Sequence, residues 1–554
     1  MTFQKILSIG KMKICTNILW QSKEKPTIII CPNFNLSKSG PFFLLSNVAH
    51  KCFDMGYNVF LFDYYANGDS SGVYCDVTLE NIQQSFSFVI KYANKCGCKN
   101  LYFIGYGLGN LLLHSVVNEE FTNGICMIAP YFSAHRYWKE VLSLAKQDRG
   151  FNFYNDEYIW PIIQSKTQED FWCSILGVTP HLYYEPIIPS FLEDLSHIDL
   201  ENSMQQFRKK LLLISPQERI PESMLKNNEL SVNIISDLKY RTEEQWNEFL
   251  NWPIVWDDIA QRVALWFRSF SINNKKEYYD KECSFNDKFD EEIIWNENVI
   301  RKSVRIRSQD KYMHGILHLP NYYNKTGTFP CVIYEPGLGG SRVDMGRCAP
   351  FLGDELACNN IACFRYDSIG SGVSDGAFYE MTWETRLKNL EDVICQLKQI
   401  QQINIDKIVI ISYSAGSKVA CVAANKFESV RGCILWSPHF LDKSSKNIQA
   451  KFKFINSKQM GIPLMGLWLS SDFLKCENKY DFLEEYKKCQ KTINIVLGDQ
   501  WKKDPNISLI NSIGNMNGTK KIIEFPGHHC FLYKYLNDII KCTILSVKSI
   551  FKDG

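Results

Sequence analysis

Residues Ser412-Tyr413-Ser414-Ala415-Gly416 directly follow the apolar run Ile408-Val409-Ile410-Ile411. A short buried strand running at once into small-x-Ser-x-Gly is the pattern of a nucleophile elbow. The turn is tight enough to require small neighbours, and it sets the serine at the positive end of the next helix. Ester hydrolysis at neutral pH needs a nucleophile, a base, an orienter for the base and donors for the oxyanion. Ser414 is the nucleophile candidate, and the backbone N–H of Ala415 is one oxyanion donor. The second donor is expected in the turn Glu335-Pro336-Gly337-Leu338-Gly339-Gly340, where glycines permit close approach to a substrate oxygen, and it is assigned to the N–H of Leu338. The base is sought late in the chain. Of ten histidines, His528 and His529 stand there, in Phe525-Pro526-Gly527-His528-His529-Cys530-Phe531, and His529 is preferred over His528. The acid is expected after an apolar segment at 493–497, where Asp499 is preferred and Asp504 is the alternate.

The strand-turn pattern occurs twice. Leu101-Tyr102-Phe103-Ile104 runs into Gly105-Tyr106-Gly107-Leu108-Gly109, whose centre has no side chain and cannot attack anything. A second pair of segments repeats with it. Asp63 heads a stretch ending Asn67-Gly68-Asp69-Ser70-Ser71-Gly72, and Asp367 heads one containing Gly370-Ser371-Gly372-Val373-Ser374-Asp375-Gly376. Asp63 and Asp367 are 304 positions apart, and Gly107 and Ser414 are 307 apart, so matched motifs recur at near-equal spacing. Duplication of one fold accounts for this. After the last strand of the first half comes Ser236-Asp237-Leu238-Lys239-Tyr240, with no histidine, so that copy lacks both nucleophile and base.

Each half alternates apolar strands with helical stretches, the signature of an α/β architecture with a mostly parallel sheet and helices on both faces. Strands are predicted at 27–31, 58–62, 101–104, 124–128, 211–215 and 232–236, then at 331–334, 361–366, 408–411, 432–436, 493–497 and 522–525. Residues 299–319 read as an antiparallel start to the second half. The polar, charged stretch 271–292 reads as a linker between domains at 1–270 and 293–554. Insertions at about 131–208 and 439–491 are expected to form lids over the carboxyl ends of the strands. The first is rich in aromatic residues such as Trp138, Trp160, Trp172, Tyr183 and Tyr184, whose ordinary role is to pack a cap.

The chain has 554 residues, a formal net charge of +2, and no strongly basic half, which argues against a nucleic-acid partner. No apolar run reaches the roughly 18 residues of a membrane span. Lys5, Lys11 and Lys13 interrupt the first residues, so no signal peptide is expected. The 20 cysteines form no Cys-x-x-Cys pair, which favours reduced thiols in a cytoplasmic setting.

Both halves resemble α/β-hydrolase domains. The second is similar to bacterial cinnamoyl- and feruloyl-esterase-like hydrolases through Pro336 to Ser341, Tyr366-Asp367 with the glycine-rich stretch that follows, Met381-Thr382, the elbow, and Gly527 with His529. The first is similar to hydrolases encoded beside bacterial exopolysaccharide or sorting systems, of the exosortase-associated type, through Cys31-Pro32-Asn33-Phe34 and the segment from Asp63 to Gly72. The resemblance implies serine hydrolysis of a small carboxylic ester with no metal or organic cofactor, and the chain order Ser, Asp, His. Trp501 stands where such enzymes usually place the acid, and Ser412 where they place a glycine. Thioester cleavage and acyl transfer would use the same residues. A binding or scaffold protein with two inactive hydrolase-like domains is the alternative of another class.

Overall fold

The computed structural model describes residues 1–34, 36–73, 76–134, 136–137, 189–226, 232–235, 252–270, 292–321, 327–344, 347–439, 453–455, 459–464, 467–477, 481–499, 520–526 and 532–553. The chain divides into two units, Met1–Phe289 and Asp290–Gly554. The expected linker at 271–292 lies outside the described residues save for Glu292.

In the first unit an antiparallel hairpin, β1 (Thr2–Ile9) and β2 (Met12–Leu19), leads into β3 (Thr27–Cys31), β4 (Asn58–Phe62), β5 (Leu101–Tyr106), β6 (Thr122–Ile128), β7 (Lys210–Ile214) and β8 (Val232–Ile235). The sheet order is β1-β2-β4-β3-β5-β6-β7-β8, with β2 antiparallel to β4 and every later pair parallel. Strand β3 is buried along its whole length, as a Thr-Ile-Ile-Ile-Cys run covered on both faces should be. Alternate residues serve opposite layers. Ile29 and Cys31 join the core that includes helix α2 (Leu79–Lys95), whereas Ile28 and Ile30 face the core built with α1 (Leu44–Asp54) and α3 (Trp252–Arg268).

The second unit repeats this plan. After a short β9 (Glu292–Ile294), the hairpin β10 (Val299–Ser308) and β11 (Lys311–Pro320) precedes β12 (Phe329–Glu335), β13 (Ala362–Tyr366), β14 (Ile403–Tyr413), β15 (Val430–Trp436), β19 (Thr492–Gly498) and β20 (Lys520–Phe525), in the order β9-β10-β11-β13-β12-β14-β15-β19-β20. Its helices include α4 (Cys348–Cys358), α5 (Trp383–Leu397), α6 (Gly416–Lys426) and α7 (Leu532–Asp553). All twelve sequence-predicted strands are present. The hairpin opening the first unit escaped the sequence reading, because Lys5, Lys11 and Lys13 blur its alternation. The second insertion holds a small antiparallel sheet, β16 (Lys453–Phe454), β17 (Met460–Leu464) and β18 (Leu467–Ser470), in addition to helices at Ser471–Glu477 and Phe482–Lys488.

The repeat extends to single hydrogen bonds. Thr78 caps α2 by accepting the Asn81 N–H at 3.2 Å, and Thr382 caps α5 by accepting the Thr385 N–H at 3.1 Å. Asp63 accepts the Lys38 N–H at 2.7 Å and pairs with its ammonium at 2.5 Å; Asp367 accepts the Arg342 N–H at 2.8 Å and pairs with its guanidinium at 2.6 Å. The hydroxyls of Ser70 and Ser374 each donate to their own aspartate's carbonyl at 2.7 Å. These four charged side chains are buried, so each charge depends on its partner.

One buried network is particular to the second unit. Arg365 donates to His318 Nε2 at 2.9 Å, and His318 Nδ1 lies 2.8 Å from Asp354, which also pairs with Arg301 at 2.5 Å. Burial, then the charges of Arg365 and Arg301, pushes the His318 imidazole down to about 3. The folded ring therefore stays neutral where an unfolded one takes a proton. Stability is whole above the unfolded value of about 6.5 and falls as pH drops toward the folded value, by at most ~1.4 kcal/mol per pH unit. Urea midpoints at pH 7.5 and 5 should diverge less in His318→Gln than in wild type; equal slopes would refute this.

Candidate functional site

Strands β12 and β14 are parallel neighbours, and the chain leaves β12 toward β13 on one side before returning to β14 on the other. Their carboxyl ends thus flank a topological switch point, where open α/β sheets bind ligands. Both nucleophile and oxyanion candidates sit there.

Ser414 follows β14 with φ +49°, a left-handed conformation that a non-glycine residue adopts at a cost. Its N–H donates to Trp436 O at 2.8 Å, its carbonyl accepts from His439 N at 3.2 Å and Ser417 N at 3.1 Å, and its side chain is half-buried. Helix α6 begins two residues later. Gly416 must be glycine, since a Cβ there would lie 2.4 Å from Pro336 O and 2.8 Å from Glu335 O. Ser412 serves where a glycine is usual because its Oγ turns to the Ser417 hydroxyl, 3.3 Å away, inside the core.

The turn after β12 comes close to this elbow: a Cβ at Gly337 would meet Tyr413 Cδ1 at 3.1 Å and Ser414 Cβ at 3.5 Å. Among the described residues, no acceptor takes the N–H of Leu338 or of Ala415. Among those residues, both candidate donors are unoccupied. From below, Asp344 accepts the Ser341 N–H at 2.7 Å, and burial pushes its carboxyl up to about 7 despite the Ser341 and Gly337 N–H groups. From above, Leu467 of β18 lies over Gly339, where a Cβ would come within 2.7 Å of its Cδ1. Part of the second insertion thus covers the turn.

Asp499 immediately follows β19, on the same carboxyl edge of the sheet, and is exposed. Only β15 separates β19 from β14. The other candidates, His528, His529 and Asp504, lie outside the described residues, as does Trp501. Sequence reading passed over His439, whose backbone touches Ser414, because it stands at the start of the insertion without a motif.

The first unit keeps the frame and changes the contents. Gly107 holds the same left-handed turn at φ +56°, and a Cβ at Gly109 would lie 2.1 Å from Pro32 O, as at Gly416. Asn33 takes the place of Gly337, and its Oδ1 accepts the Leu108 N–H at 2.8 Å. Leu108 corresponds to Ala415, so a side-chain amide oxygen occupies the donor that a substrate oxygen would use. Among the described residues one acidic and thiol cluster, Cys15 with Asp63 and Asp69, has the spacing of metal ligands, but the Lys38 ammonium stands among them and supplies the balancing charge.

Residues 338–493 match the family model described as serine aminopeptidase, S33. The matched stretch contains Leu338, the elbow and β15, and ends inside β19. Taken with the strand order, it gives the second unit an α/β-hydrolase fold, and the first unit shares that strand order. No curated protein sequence matches the chain. Similar solved structures include Est1E from Butyrivibrio proteoclasticus with ferulic acid bound, at 20% identity and TM-score 0.38, covering 44% of this chain and 99% of that one. The α/β hydrolase GrgF from Penicillium sp. sh18 is 15% identical with TM-score 0.37 over 45% and 98% of the two chains. An esterase from Pyrococcus furiosus is 15% identical with TM-score 0.34 over 45% and 90%. No helix among the described residues is long and apolar enough to cross a membrane, and the described cysteines are unbridged.

Proposed function

We propose that the second unit is a serine hydrolase of small carboxylic esters or related acyl compounds, and that the first unit is a catalytically inactive copy of the same ancestral domain. The observation that carries this reading is the left-handed Ser414 at the mouth of α6, facing a turn whose Leu338 N–H has no acceptor among the described residues. Ser414 attacks the acyl carbon, and His529 takes the serine proton and returns it to the leaving group. Asp499 orients the imidazole. The N–H groups of Leu338 and Ala415 receive the developing oxyanion, where one such donor is worth roughly 10²–10³ in rate. Water then releases the acyl group. In the first unit Gly107 supplies no nucleophile and Asn33 takes the oxyanion donor.

A fluorophosphonate probe, followed by peptide mapping, tests the assignment. Labelling is expected at Ser414, abolished by His529→Ala and retained by His528→Ala. A folded sample that takes no label would favour a binding protein with two inactive domains. Loss in His528→Ala alone would move the base by one residue.

A further inference from the structure

We propose that Arg386 is a positioning residue for the oxyanion site: its guanidinium fixes the peptide planes of the 336–338 turn so that the Leu338 N–H is presented to the substrate.

Arg386 lies one turn into α5 and is buried, as are Glu335 and Tyr366. Its Nε donates to Glu335 Oε1 at 3.1 Å and its Nη2 donates to the same oxygen, while the Tyr366 hydroxyl donates to Glu335 Oε2. Two further N–H groups go to backbone. Nη2 reaches Pro336 O at 2.6 Å and Nη1 reaches Gly337 O at 3.4 Å.

A trans peptide carries its C=O and N–H on opposite sides, so holding one end aims the other. In the 336–337 plane the carbonyl is held by Arg386. In the 337–338 plane the carbonyl receives Arg386 and the Gly340 N–H, the latter at 3.2 Å. What projects on the far side is the Leu338 N–H, which has no acceptor among the described residues. A cation on the carbonyl side also polarises the amide and makes that N–H a stronger donor.

The first unit is an internal control. Its counterparts of Arg386, Glu335 and Tyr366 are Ile82, Cys31 and Phe62, all buried in one apolar core. The same turn and helix form there without the ionic cluster, in the copy whose oxyanion donor is occupied by Asn33. Replacement by apolar residues does not by itself mark a functional group, since buried Arg365 also faces an apolar counterpart, Leu61. Arg386 is set apart by its contacts with two consecutive carbonyls of the catalytic turn. Burying an ion pair rarely gains stability over apolar packing, so its presence calls for another role.

This inference rests on Ser414 being the nucleophile, and the test separates the two. The full chain carrying Arg386→Ile, Glu335→Cys and Tyr366→Phe adopts the first unit's trio and leaves no buried charge unpaired. Three quantities are compared with wild type: the circular-dichroism melting profile, kcat and KM for p-nitrophenyl acetate, and the rate of fluorophosphonate labelling at Ser414. The expected result is a folded protein with kcat and labelling rate lowered about 10- to 100-fold and KM changed less than about threefold. A folded variant with wild-type kcat and labelling overturns the positioning role and leaves the nucleophile assignment standing. A wild-type protein that neither labels nor hydrolyses overturns both. If the triple variant fails to fold, Arg386→Lys is read the same way. It keeps the charge but loses the planar fork, so a loss of at least about 10-fold is expected and an unchanged rate overturns the proposal.

Discussion

Ser414→Ala is expected to lower ester turnover by at least ~10⁴-fold while changing stability by no more than ~1 kcal/mol. The asymmetry follows from where the hydroxyl sits. Backbone bonds to Trp436, Ser417 and His439 hold the turn and are indifferent to the side chain. The hydroxyl is needed only for covalent attack, for which no neighbour substitutes. A companion variant sharpens the test. Ser414→Gly should be equally inactive yet more stable by ~1 kcal/mol, because glycine adopts φ +49° without the steric cost that serine bears. Gly107 in the first unit has taken that form. Steady-state kinetics and urea denaturation of the three proteins decide the matter. A glycine variant less stable than wild type would remove the claim that the elbow is strained.

Gly416→Ala is expected to damage both stability and turnover. Alanine is the better helix former by about 1 kcal/mol at an unconstrained position. Here its methyl would press on the carbonyls of Pro336 and Glu335 at 2.4 and 2.8 Å, and these belong to backbone at the end of a central strand. A flexible side chain could turn aside; this backbone must move, and overpacking of this kind costs about 1–3 kcal/mol. The displaced atoms belong to the turn bearing the Leu338 donor, and a shift approaching 1 Å there costs on the order of 10²-fold in rate. The expected outcome is a net loss of up to ~2 kcal/mol in urea and a kcat lowered ~100-fold. A variant with wild-type kcat would show that the elbow and the turn are not mechanically joined.

The strands were readable because each is a short apolar run bounded by turn residues, and the elbow was readable because its steric demand falls on small residues at fixed spacing. The near-equal intervals from Asp63 to Gly107 and from Asp367 to Ser414 matched the two halves of the chain to each other. Other features had no signature. Arg386 reads as one more charge on an amphipathic helix, and only packing reveals that it points inward to Glu335. Asn33 sits beside a proline in a turn, where asparagine is ordinary, and its meaning lies in an acceptor aimed at an N–H 75 positions away. The small sheet at β16–β18 follows from cross-strand register that the sequence of the insertion does not advertise.

The bond from the Leu108 N–H to Asn33 bears on how the first unit could ever change again. Restoring a serine at position 107 would give a nucleophile with one oxyanion donor occupied by an amide. Clearing Asn33 alone would free that donor with nothing to attack the substrate. Neither change alone would pair a nucleophile with a vacant donor. On the proposed reading, regaining hydrolysis in the first unit would need both changes at once, and no single substitution leads back to it.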